Sequence, residues 1–187
     1  MALDRTWYNS LVNDDGSGLT GSVWDKEDVN QLMNAIDAEL ARTGSKPFCF
    51  VRRDTPQPCY GTTWDNILYW TAPFFCNPSS MWGAGLPTQI TIPEAGDYLV
   101  IACVMWDINP TGIRGARVHR NGVHDTFCWD TRAPLAGTWT ACHVSGIVQC
   151  NVGDALQVGA YQDSGVMLNA GGQGAWPQTS YFQVRKI

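Results

Sequence analysis

Two histidines flank the dipeptide Asn121-Gly122 in "RVHRNGVHD". Asn-Gly between two alternating runs predicts a two-residue hairpin loop, which sets Arg120 against Val123 and His119 against His124. Directly opposed residues hold their Cβ atoms about 5 Å apart on one face. Imidazoles so placed can share a metal ion or respond to mildly acid pH, or they are simply solvated hairpin residues. No third ligand stands near them in sequence. Counting by twos puts Cys128 on the face of His124, but about 13 Å further along the strand. Cys142-His143 brings together the residue types of a thiol nucleophile and its base. Neighbours on a strand point to opposite faces, however, so these two side chains do not meet.

The cysteines number seven, at positions 49, 59, 76, 103, 128, 142 and 150. An odd count leaves at least one thiol unpaired, and no C-x-x-C occurs. Cys142 and Cys150 share one predicted strand at a separation of about 26 Å and cannot join each other. Two readings stand for the set: small buried thiols in a reducing compartment, or a Cys49–Cys59 staple across "RRDTPQP". Neither G-x-S-x-G nor H-E-x-x-H is present, and the carboxylates are too scattered to place a glycosidase pair. The expectation is a non-enzymatic protein without a cofactor. A polysaccharide-degrading enzyme would need several chains to build one site.

Aromatic residues are the stronger lead. There are nine tryptophans in 187 residues, and three fall in turn-rich segments: Trp106 before "DINPTG", Trp129 before "DTRAPLAG" and Trp176 in "DSGVMLNAGGQGAWPQ". With Asp130, they are candidates for binding sugar rings or a protein partner, unless the indoles fill the core or a subunit axis. Trp64, Trp70 and Trp139 lie in strand-like runs and are assigned to the core. Around Trp82 and its glycine-rich neighbours the strand signals fade.

The elements that must position these residues are mostly strands. From Lys46 onward about eight period-two segments, with turns at "EAGD", Asn121-Gly122 and "NVGD", indicate an antiparallel sandwich or jelly roll. "YLVIACVMW" is apolar on both faces, so Leu99, Ile101 and Met105 are either covered within the fold or turned toward another subunit. Residues 25–43 read as one amphipathic helix. Asp25 caps it, Gly44 closes it, and Val29, Leu32, Met33, Ile36 and Leu40 form a single stripe. That stripe packs against its equivalents in a trimer or folds back on its own sandwich. Residues 1–24 read as an extended arm. The chain is only 16% charged with a formal net charge of -5, and no basic cluster is longer than the Arg52-Arg53 pair, which excludes nucleic acid as a main partner. No run approaches the ~18 apolar residues of a membrane span, and the first residues do not read as a signal peptide.

"ITIPEAGDYLVIACV", "RVHRNG", "VGDALQVGAY" and "SYFQVRKI" occur in this order, and their succession resembles the C1q/TNF-like jelly-roll superfamily over residues 46–187. The resemblance implies a mainly β, antiparallel jelly-roll head behind one short N-terminal helix. Residues 8–38 resemble N-terminal segments of bacteriophage structural proteins. Together the two imply a homotrimeric virion protein, a fibre or a capsid decoration, made in the host bacterial cytoplasm. Residues 1–24 would hold it to other virion proteins. A dedicated receptor-binding protein at a tail-fibre tip, recognising bacterial surface glycan, is the alternative.

Overall fold

Burial alternates along most of the chain after Pro47, as a sandwich requires. The structure is a computed structural model describing residue 34 and residues 46–61, 66–171 and 180–187, with the backbone alone at 125–127. The chain divides into compact units at Lys46/Pro47. Of the predicted helix only Asn34 is described, helical and exposed. Val29, Leu32, Met33, Ile36 and Leu40, the arm, Trp64 and Trp176 lie outside the described residues.

Among the described residues the second unit has twelve strands: β1 (Phe48–Arg53), β2 (Gln57–Cys59), β3 (Asn66–Ile67), β4 (Ala72–Asn77), β5 (Ile90–Thr91), β6 (Gly96–Trp106), β7 (Arg114–Arg120), β8 (Val123–Arg132), β9 (Thr140–Cys150), β10 (Ala155–Gln162), β11 (Leu168–Ala170) and β12 (Ser180–Lys186). One sheet runs β2-β11-β6-β12-β1-β4, with β9 on the other edge of β6. The second runs β3-β10-β7-β8, with β5 also beside β10. All pairings are antiparallel.

Between the sheets lies one core. β6 contributes Tyr98, Val100, Ala102, Val104 and Trp106, and β12 adds Phe182 and Val184. Ala116 and Val118 of β7 and Leu156, Val158 and Ala160 of β10 belong to the same buried cluster. Trp70 stacks on Phe182 with ring centroids 5.8 Å apart. Trp106 is fully buried and therefore not a loop residue open to a ligand. Its strand continues through it, and the turn "DINPTG" begins only afterwards.

The turns at "EAGD" and "NVGD" cross between sheets: β5 and β10 belong to the second, β6 and β9 to the first. The Asn121-Gly122 loop closes a true hairpin, with both residues left-handed at φ 55° and 77°. Asn121 also latches this tip to "NVGD". Its Nδ2 donates to Asp154 Oδ1 at 2.8 Å, and its Oδ1 accepts from the Ala155 amide at 2.9 Å. The Asn121 bond, followed by one from the Asn151 amide, holds the Asp154 carboxyl below its ordinary range.

One disulfide is present, Cys49–Cys76, joining directly opposed residues of β1 and β4. The Cys49–Cys59 staple is thus incorrect. Cys59 sits on β2, at the other end of the sheet order from β4 and with three strands between it and β1. The other five cysteines, including Cys59, are buried and outside any disulfide. Gly146 of β9 makes room for one of them, since a Cβ there would collide with Cys128 Sγ.

Replacing Asn121 with Ala removes both latch bonds and forces a Cβ-bearing residue without a local hydrogen bond into the left-handed region. The expected loss is about 1–3 kcal/mol of unfolding free energy in a urea titration. An unchanged midpoint would show that the latch contributes nothing.

Candidate functional site

The even-numbered residues of β6 from Tyr98 to Trp106 are buried in the core and the odd-numbered ones point out of the sandwich, where Cys103 alone is buried. Leu99, Ile101 and Met105 are half-buried there. Ile101 stands opposite Gln183, Gln183 opposite Phe50, and Phe50 opposite Phe75. A bulge between Phe50 and Val51 leaves Phe74 as an extra residue of β4. Both Phe74 and Phe75 therefore reach outward-facing rings of β1: Phe75 meets Phe48 at 5.6 Å and Phe74 meets Phe50 at 5.2 Å. Tyr181 meets Phe50 edge-on at 5.8 Å. Phe74 is 63% exposed, Phe75 51% and Ile147 63%, so this outer face carries uncovered apolar side chains on both sides of β12, whose Gln183 and Arg185 lie between them.

The histidine pair keeps its expected register: His119 faces His124 and Arg120 faces Val123. His119 is nonetheless buried and accepts from Arg117 Nε at 2.9 Å, while His124 is exposed. The two are therefore in different surroundings, and no group of three metal-ligand side chains occurs among the described residues. Beyond them the count by twos fails, because Val118 alone stands against residues 125–128 of β8. Past this bulge Cys128 is buried and Trp129 is exposed.

Trp129 and Asp130 consequently occupy opposite faces of β8 and do not form one site. Trp129 is 59% exposed on the outer side of the second sheet. Asp130 instead accepts from Arg132 Nε at 2.7 Å and from the His143 amide at 3.0 Å. Arg132, Leu135, Trp139 and His143 line a shallow cleft of about 240 Å³ beside it. Trp139 belongs to this cleft, not to the core. A larger cleft of about 410 Å³ opens beside Trp82 and Gln89.

Cys142 and His143 diverge as expected, the thiol buried and the imidazole exposed. The thiol that approaches His143 comes from the neighbouring strand: Cys103 Sγ lies 3.8 Å from His143 Nε2, on directly paired residues of β6 and β9. Burial pushes the Cys103 thiol up to about 11. A nucleophilic cysteine needs a lowered value, so this contact is packing chemistry. Burial likewise raises Cys59 to about 11 and Cys142 to about 12.

Set against solved structures, the chain is similar to the globular domain of zebrafish complement 1qA protein. The identity is 11% and the TM-score 0.54, covering 76% of this chain and 98% of that one. It is also similar to murine APRIL at pH 8.0, with 14% identity and a TM-score of 0.55 over 76% of this chain and 99% of that one. Eiger TNF from S. frugiperda gives 13% identity and a TM-score of 0.55 over 76% and 93%. The fold is a C1q/TNF-like jelly roll. No family model and no curated protein matches the sequence. Within this jelly roll, the sheet containing β6 presents the apolar face and the 240 Å³ cleft lies beside its edge strand β9. Among the described residues no helix is long and apolar enough to cross a membrane.

The raised thiols have a measurable consequence. A group whose folded value lies above its unfolded one adds stability that is complete below the unfolded value and disappears as pH rises through the folded one. With ordinary thiols at 9.0, the melting temperature should be steady up to about pH 8.5 and fall between about pH 9 and 12. At pH 8 a thiol reagent should leave Cys59, Cys103 and Cys142 unlabelled until denaturant is added. Rapid native labelling of these three would contradict their burial.

Proposed function

We propose that this chain is a non-enzymatic, homotrimeric virion structural protein of a bacteriophage, a fibre or a capsid decoration. Its jelly-roll head projects outward and engages the bacterial surface. Residues 1–24 attach it to the particle through other virion proteins. The observation that carries the reading is the uncovered apolar face formed by Phe48, Phe50, Phe74, Phe75, Leu99, Ile101 and Ile147. Water-exposed rings in this number favour burial against another surface. The occupant is a further copy of the same chain: the apolar residues lie on β4, β1, β6 and β9 of one sheet face, with Gln183 and Arg185 of β12 between β1 and β6, and the likeness to C1q- and TNF-type domains supports threefold association. A stable contact needs about 800 Å² from each partner, which an outer sheet face can supply.

Resemblance of residues 8–38 to phage structural proteins supports the particle attachment. A dedicated glycan-binding protein at a tail-fibre tip is the alternative reading, favoured by the two clefts that carry tryptophan and polar side chains.

Light scattering on the intact chain should report three chains per particle. Ile101→Asp places a charge in the middle of the patch on a half-buried outward position, and should convert the trimer to monomer while leaving strand content by circular dichroism intact. A monomeric wild type, or a trimer indifferent to the aspartate, sinks the association.

A further inference from the structure

The 410 Å³ cleft lies where the chain turns from β4 toward β5, through a 3-10 turn at Ser79–Met81 and a glycine-rich loop. Its size falls within the usual range for small-molecule sites, about 300–1,000 Å³. Trp82 is half-buried, packed on one side against the core and lining the cleft on the other. Ser80, Gln89 and Thr91 bring an amide and two hydroxyls to the same walls. Gln89 Nε2 donates to Thr91 Oγ1 at 3.2 Å, which fixes the amide plane and leaves its oxygen as an acceptor. Among the described residues that line the space none is charged.

The glycines of the loop are informative. A Cβ on Gly83 or Gly85 would meet nothing within 4 Å, and neither residue has a positive φ. Neither backbone conformation nor packing requires glycine at these positions, although glycine loses more freedom on folding than any other residue. Both line the cleft, and a side chain on either would enter open space.

We propose that this cleft binds a single neutral hexose ring, with its apolar face on Trp82 and its hydroxyls on Gln89, Thr91 and Ser80. An aromatic wall with an amide and hydroxyls suits a polyol that has one apolar face. A carboxylate would lose its water without gaining a cation, which disfavours acidic sugars. The proposal rests on the host-surface half of the function above and names its site and its sugar class.

The test uses the intact chain, with methyl α-glucopyranoside and methyl α-galactopyranoside as neutral probes and galacturonic acid as the charged one. Binding is followed by saturation-transfer NMR and titration. At least one neutral glycoside should saturate with a dissociation constant on the order of 1 mM, and galacturonic acid should bind at least tenfold more weakly. Gly85→Leu fills the cleft without touching the core and should reduce neutral binding at least tenfold, with solution mass and melting temperature unchanged. Trp82→Ala should reduce neutral binding as strongly and remove the ring contacts seen by saturation transfer, with a lower melting temperature because the ring also packs against the core. Absence of neutral binding up to 50-fold above that constant overturns the site, as does equal affinity for the uronic acid or indifference to Gly85→Leu. Binding to whole bacteria that survives Gly85→Leu also overturns it, while leaving host-surface engagement standing. Loss of the trimer by wild-type mass measurement would instead strike the association alone.

Discussion

The strand Gly96–Trp106 is paired along both edges, and the rest of the head depends on that double pairing. β9 runs against it over its whole length, from Gly96 opposite Cys150 to Trp106 opposite Thr140. β12 pairs with it from Tyr98 to Cys103 on the other side. A strand so held cannot slip by one residue without exchanging its two faces. Tyr98, Val100, Ala102, Val104 and Trp106 are therefore fixed inside, and Leu99, Ile101 and Met105 outside. The apolar patch follows directly from this register.

Polar groups inside the sandwich are handled locally, in the loops at its ends. Gln162 is fully buried and uses all its capacity: its amide nitrogen donates to Cys59 O and Val166 O, and its oxygen accepts from the Ser164 amide and hydroxyl. Arg114 is also fully buried and ties down the loop that precedes it through the carbonyls of Asn109, Thr111 and Ile113. Gln162 is fully satisfied in this way and Arg114 leaves only its Nε without a partner, and such bonds stiffen the connections between strands. Charge at the surface follows the same economy, with Asp130 engaging both Arg132 and the His143 amide.

Sequence made the local features legible and left the spatial ones obscure. Asn121-Gly122 announced its hairpin because only a few dipeptides tolerate two left-handed residues, and the register around it followed from counting. Cys142 and His143 could be separated by strand alternation alone. The same counting failed at Cys128, where the bulge opposite Val118 adds residues that no local pattern marks. The staple between Cys49 and Cys59 rested on nearness in the chain, whereas disulfides answer to nearness in the sheet; Cys76 faces Cys49 only because β4 lies beside β1. Trp106 and Trp139 exchanged expected places for a related reason. Each sits at the junction of strand and loop, where one residue of extension decides between core and cleft. The helix and arm fall outside the described residues, so their reading rests on sequence and resemblance.

Strand β12 lies between β1 and β6, so residues 49 and 184 face each other across a single pairing. The first strand of the head therefore has no neighbour on that side until the most distant part of the domain has been synthesised. Pairings so remote in sequence are slow to form, and β1 and β6 meanwhile present open edges. A cell making this protein in quantity holds many nascent chains in that half-paired condition at once. Crowding among them would favour strand exchange over correct closure, which makes synthesis rate and temperature, more than final stability, the determinants of soluble yield.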